Sequence, residues 1–268
     1  MVFRLETTSG IVQNAEVSLK IVSTKEEIRM GSLINSVLII IGGIIGLIFK
    51  KAVNKDMESS IQKATGIAVF VIGICGVLST MLKSDTGGNI KSSGELLLVV
   101  SLALGTLIGE LLKLDERINK GCKAIETRFQ MSNFSSGFIT ASLIYCIGAM
   151  AIVGSINEGL LGDSSTLVTK GIIDGITSIV LAASLGYGVI FSSVPVLLYQ
   201  GSITLLAGTL ENVLVGELLN NICMVGYSLV ICIGINFLST DDRKMKTVNM
   251  LPAIFVPVIY EVIRHFIG

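Results

Sequence analysis

Asp174 is the residue best placed to do chemistry in this chain. It stands in the apolar run 167–185, with Lys170 four positions earlier on the same helical face. A charge at membrane depth costs about 2.5–3.5 kcal/mol on insertion scales, so each one requires a reason. Two readings stand. Lys170 and Asp174 form a structural ion pair that answers its own desolvation, or Asp174 lines an aqueous cavity where a carboxylate binds a cation or carries a proton. The run 188–210 adds Ser192, Ser193, Pro195 and Gln200. Pro195 removes one backbone donor and crowds the carbonyl of Phe191, while the two serines can re-satisfy freed groups. A helix kink at Pro195 is predicted, either as plain packing or as a discontinuous helix whose free backbone groups face a ligand. With Asn35 and Ser36 of the run 31–49, the substrate-binding set is Asp174, Asn35, Ser36, Ser192, Ser193 and Gln200.

Other chemistries find no support. The five cysteines have no paired spacing and His265 has no companion, so neither a disulfide framework nor a metal site is expected. No nucleophile–base pair or phosphate-loop spacing is visible, so no catalytic residue, enzyme activity or cofactor is expected. Gly42, Gly43 and Gly46 resemble a dinucleotide fingerprint but follow no strand. Gly42/Gly46, Gly105/Gly109 and Gly171/Gly175 instead have the four-residue interval that lets helix backbones touch.

The elements that must position these groups follow from composition. Of 268 residues, 51% are hydrophobic and only 15% charged, against about 25% charged in soluble domains. Mean hydropathy is +0.79. Apolar runs occupy 31–49, 64–82, 94–112, 134–155, 167–185, 188–210, 222–238 and 248–263, the last holding Pro252 and Pro257. Seven reach the roughly 17–25 residues that cross a bilayer as a helix. The runs lack strand alternation, which excludes a transmembrane barrel. The fold class is therefore an all-α membrane protein, a polytopic bundle of seven to eight transmembrane helices in one membrane domain, residues 30–268. Residues 1–29 are polar and lack the apolar centre of a signal peptide. They read either as an upstream extension ahead of a start at Met30 or as a genuine tail.

Charge sets an orientation. Lys50, Lys51, Lys55 and Lys63, then Lys113, Arg117, Lys120, Lys123 and Arg128, then Arg243, Lys244 and Lys246 fall in alternate connections. The other connections hold Lys83 and Lys91, or only the acids Glu158, Asp163, Glu211 and Glu217. Basic loops stay cytoplasmic, so eight spans place both ends of the membrane domain outside. Equal totals of basic and acidic residues give no field for nucleic acid. The segment 114–132 places Leu114, Ile118, Cys122 and Ile125 at helical spacing among charges, predicting an amphipathic helix on the inner leaflet.

An internal echo is also present. Asn35-Ser36-Val37 aligns with Ser192-Ser193-Val194, Gly66 and Gly73 with Gly226 and Gly234, and Glu110 with Glu261. Spans 1–3 would then correspond to spans 6–8. A shift of five spans makes the copies inverted repeats, with spans 4–5 an inserted hairpin.

Four stretches carry a family resemblance: 31–51 (GSLINSVLIIIGGIIGLIFKK), 140–179 (TASLIYCIGAMAIVGSINEGLLGDSSTLVTKGIIDGITSI), 188–208 (GVIFSSVPVLLYQGSITLLAG) and 249–260 (NMLPAIFVPVIY). From Gly31 onward the chain resembles the YqgA/YdfK-like bacterial family, multi-pass inner-membrane proteins of unknown function. The resemblance implies the bacterial plasma membrane and supplies no site residues. Two functions are compatible with the sequence. One is a secondary transporter or channel for a small ion or polar solute. The other is a non-transporting scaffold or regulator acting through 114–132 or through dimer contacts as a homo-oligomer. The lipid bilayer is a partner in both.

Overall fold

The computed structural model describes residues 30–50, 55–84, 89–131, 134–211, 213–214, 216–240 and 243–267. Residues 1–29, with the two readings of them, lie outside the described residues, as do Lys51, Ser132 and the side chains of Lys55 and His265. The helices are α1 (Gly31–Lys50), α2 (Lys55–Met81), α3 (Glu95–Leu112), α4 (Leu114–Phe129), α5 (Phe134–Cys146), α6 (Ala149–Leu161), α7 (Ser165–Leu185), α8 (Gly188–Phe191), α9 (Ser193–Leu205), α10 (Ala207–Leu210), α11 (Gly216–Leu238) and α12 (Val256–Ile267). A 3₁₀ helix, Thr247–Phe255, precedes α12, and a short antiparallel hairpin of β1 (Leu82–Ser84) and β2 (Ile90–Ser92) links α2 to α3.

Seven helical segments are long and apolar enough to cross a membrane, and α5 with α6 passes as an eighth only when the bent pair is taken together. Helix α1 illustrates the solvent these helices are built for. Its inward face is Ser32, Asn35, Ser36, Ile39, Gly42, Gly43 and Gly46, while Leu33, Val37, Ile41, Ile44, Ile48 and Phe49 point outward. Small and polar groups pack inside and large apolar ones face out, the reverse of a water-soluble helix and the arrangement lipid selects.

Glycines set the closest seams. A Cβ on Gly42 would lie 2.0 Å from the Gly175 carbonyl oxygen, and one on Gly46 would lie 2.3 Å from that of Ile179, so α1 runs parallel to α7 in backbone contact. Gly66 and Gly73 hold α2 antiparallel to α11 near Phe237 and Ile231. Gly105 and Gly109 hold α3 antiparallel to the 3₁₀ helix, near Ala253 and Asn249.

The helix carrying Pro195 is interrupted at Ser192, three residues before the proline, while the 62° bend lies elsewhere. Pro195 falls in the first turn of α9, where a missing donor costs least. The α8–α9 segment, interrupted only at Ser192, still counts as one span. The 62° bend lies instead between α5 and α6, where Gly148 adopts φ 124 and ψ 150, a backbone conformation suited to glycine. Across that bend the pair still runs the length of α7. Phe134 packs on Gly188 just past one end of α7, and Glu158 reaches Gly31 and Ser164 at the other.

Helix α4 forms as predicted, with Leu114, Ile118 and Ile125 half-buried and Cys122 buried. It is docked on protein. The Asp115 N–H donates to Asn249 Oδ1 at 2.7 Å, and Glu126 Oε1 accepts from the Ser135 N–H at 3.1 Å. Burial, aided by the Glu126 carboxylate, pushes the Cys122 thiol up, although Ser135 opposes the shift. Less thiolate at neutral pH and a covered position should make Cys122 react with a maleimide at least about tenfold more slowly than a cysteine placed at open Gly121. Equal rates would mean that α4 is undocked.

Candidate functional site

Three helices bring the predicted polar residues to one seam. From α1 come Asn35 and Ser36, from α7 Lys170 and Asp174, with Ser178 added by the structure, and from α9 Ser193 and Gln200. Lys170, Asp174 and Ser178 stand four apart and Ser193 and Gln200 seven apart, so each of these sets keeps one face, while Asn35 and Ser36 are neighbours that are both buried on α1. The approach is close because Gly171 has no side chain: a Cβ there would sit 2.9 Å from the Asn35 Cα.

Lys170 and Asp174 are both about 6% exposed and joined by a direct ion-paired hydrogen bond. The Lys170 ammonium also lies 6.0 Å from the ring centroid of Tyr145, whose hydroxyl shares a 2.7 Å hydrogen bond with Ser178. The Asn35 amide lies against the Asp174 carboxylate. Asn35 Nδ2 donates to Gln200 Oε1 at 3.2 Å. This single bond leaves the Asn35 Oδ1 acceptor and the Gln200 Nε2 donor unpartnered, although both residues are fully buried. Orphaned buried polar atoms cost about 1–3 kcal/mol each, which makes this pair chemically conspicuous. Ser36 Oγ donates to the Ser32 carbonyl at 3.0 Å and approaches that of Ser193 at 3.2 Å.

Not every predicted residue joins the cluster. Ser193 takes part through its carbonyl. The Ser192 hydroxyl bonds to the Val189 carbonyl of its own segment at 2.6 Å, which serves the helix interruption. Pro195 positions no ligand group.

A second buried carboxylate stands at the end of the seam. Glu158, in α6 and 1% exposed, accepts four hydrogen bonds. Oε1 receives the Gly31 N–H at 2.5 Å and Ser164 Oγ at 2.8 Å. Oε2 receives Ser32 Oγ and Thr204 Oγ1, each at 3.1 Å. The Gly31 N–H opens α1, where the helix dipole favours an anion. Among the described residues no cation pairs with it. In sequence Glu158 reads as one acid of a polar connection. The structure corrects this: α6 continues to Leu161 and carries Glu158 inside.

A family described as "Protein of unknown function (DUF554)" matches residues 30–262. The chain belongs to that family. It is 35% identical over 238 residues to the uncharacterized membrane protein YdfK of Bacillus subtilis, covering 89% of this chain and 98% of the relative. It is 25% identical over 234 residues to the uncharacterized protein YqgA of Escherichia coli, covering 85% and 94%. No solved structure matches. The DUF554 match and the membrane-named relative agree with the apolar helices: this is a helical membrane protein of the YqgA/YdfK-like group. The match takes in all the residues of both polar clusters, from Gly31 to Thr204.

Glu158 had a weak signal in sequence. It stands three residues past the apolar run that ends at 155, and apart from Ser164 its partners are 126 and 127 positions away in α1 and 46 away in α9. No periodicity links such distances.

Proposed function

We propose that the protein is a secondary transporter for a small ion or polar solute, with Asp174 as the central charged group. The observation that carries this reading is the unfilled pair, Asn35 Oδ1 and Gln200 Nε2, beside the Lys170–Asp174 ion pair in a dry helical interior. A solute that offers both a donor and an acceptor would satisfy what the protein leaves open. Asn35, Gln200 and Ser192 are fully buried, so access requires helix movement, which favours alternating access over an open channel.

The inverted-repeat reading draws support from how the helices meet. Span 1 lies against α8–α9, α2 against α11, and α3 against the 3₁₀ helix, each copy beside its mate. The matched dipeptides Asn35-Ser36 and Ser192-Ser193 approach at the 3.2 Å contact of Ser36 with the Ser193 carbonyl, near where a two-fold axis in the membrane plane would run. The basic connections would face the cytoplasm and the Glu158 end the outside of a bacterial plasma membrane. The scaffold reading has less support, because α4 is docked on the chain through buried Cys122 and the bonds of Asp115 and Glu126.

The test is flux into proteoliposomes across a panel of monovalent ions and amino acids. Asp174→Asn keeps the shape and can still accept from Lys170 through its amide oxygen. It should lower flux at least about tenfold, equivalent to ~1.4 kcal/mol, with an unchanged size-exclusion profile, and Asp174→Glu should restore part of it. Undiminished flux in a folded Asp174→Asn protein removes Asp174 from the transport path.

A further inference from the structure

We infer that the Asn35–Gln200 seam takes a small zwitterion, an amino acid of glycine or alanine size, whose two charges pair with Asp174 and Lys170. Three features converge on that class: a fully buried acceptor without a partner, a fully buried donor without a partner, and an ion pair beside them. The orientation of the two amides follows from their neighbours. A carboxylate only accepts, so the Asn35 amide meets Asp174 through Nδ2, the same nitrogen that donates to Gln200 Oε1. Asn35 Oδ1 is therefore the atom left open. Gln200 has turned Oε1 to Asn35, which leaves its Nε2 open. An incoming ammonium finds two acceptors here, Asn35 Oδ1 and the Asp174 carboxylate. An incoming carboxylate finds two donors, Gln200 Nε2 and the Lys170 ammonium.

Charge decides among solutes. Lys170 and Asp174 already neutralise each other in a site about 6% exposed. A lone cation bound beside them would leave one positive charge in the dry seam, and a lone anion one negative charge. Either is a buried charge without a counter-charge, which is strongly unfavourable. A zwitterion adds no net charge, and its ends alternate in sign with those of the pair. Size follows from the walls. Ile39 stands one turn after Asn35 and Val196 one turn before Gln200, so each shares a face with its amide. Both are fully buried in one apolar cluster. Helix α7 cannot give way, because a Cβ on Gly171 would already lie 2.9 Å from the Asn35 Cα. Room must come from α9, which is tied to α1 by the Asn35–Gln200 bond and the contact of Ser36 with the Ser193 carbonyl. A hydrogen or methyl side chain rests against Ile39 and Val196, whereas an aromatic one would force the α1–α7 seam apart.

This rests on the transporter reading for its site, but its test is binding and needs no flux. The full chain in detergent is titrated calorimetrically near neutral pH, at constant ionic strength, with glycine, L-alanine and L-phenylalanine. The same titration is run with the two halves of alanine, ethylammonium and propionate. L-Alanine should bind at least about tenfold tighter than either half and than L-phenylalanine. Ethylammonium binding as well as alanine would make this a cation site, and propionate doing so an anion site; either result overturns the inference. So does phenylalanine binding as well as alanine. Failure of both glycine and alanine to bind overturns it too, and leaves the open donor and acceptor to a buried water. Gln200→Met keeps the length of the side chain and removes the open donor, so it should bind alanine at least about tenfold more weakly. Unchanged affinity in the folded variant overturns the inference, and if the variant does not fold, the ligand series on the intact protein still decides. Alanine binding without flux would keep this site and remove transport. Asp174-dependent flux of a monovalent ion without alanine binding would keep transport and remove the zwitterion.

Discussion

Replacing Lys170 by Met should destabilise the folded protein by about 3–5 kcal/mol, the usual cost of leaving one charge of a buried pair without its partner. Asp174 would keep only the Asn35 amide nearby, in a site 6% exposed. The single variant Asp174→Leu should cost a similar amount for the opposite reason, because the Lys170 ammonium would retain only the distant face of Tyr145. The double variant Lys170→Met/Asp174→Leu removes both desolvation costs together, so it should recover most of the loss. The measurement is thermal unfolding in detergent for all four proteins of the cycle. A coupling of at least about 2 kcal/mol is expected, within the range for contacting groups. If the two single losses simply add, the ion pair is not the stabilising unit. The double variant also separates two roles that the sequence leaves joined. A protein that is folded and inactive in flux would mean that the pair serves transport beyond its own neutralisation. A folded and fully active one would reduce it to packing.

The second large effect is expected at Gly109. A Cβ there would stand 1.9 Å from the Asn249 carbonyl oxygen and 2.6 Å from its carbonyl carbon. Both are backbone atoms, so no side-chain rotation relieves the clash. Gly109→Leu must drive α3 away from the 3₁₀ helix, and with it the Asn249 side chain that holds the first turn of α4. Overpacking typically costs about 1–3 kcal/mol, and an immobile backbone neighbour places this change at or above the top of that range. Gly201→Leu is the control, since a Cβ at Gly201 meets nothing within 4 Å, and its effect should stay within about 0.5 kcal/mol. Melting temperatures measured side by side decide the matter. Similar losses at both positions would mean that α3 and the 3₁₀ helix do not meet as described.

These cases separate what can be read along the chain from what cannot. By itself the sequence determined the medium, the approximate positions of the spans and the shared helical face of Lys170 and Asp174, while leaving open whether they pair or line a cavity. Each rests on local order: in lipid every backbone group must bond within its own helix, so a span is a length of apolar residues, and an interval of four residues fixes a shared face. The glycine intervals likewise marked which faces make close seams, though not against which helix. Proline at 195 marked a helix that is interrupted at Ser192, three residues before it, but not the 62° bend, which Gly148 makes between α5 and α6. Tertiary structure alone decided that Gly148 turns α5 into α6, that Asn35 meets Gln200, and that Glu158 lies inside, bound to four donors. Those contacts join residues up to 165 positions apart, and they depend on how helices are arranged around one another, which no period along a single helix records.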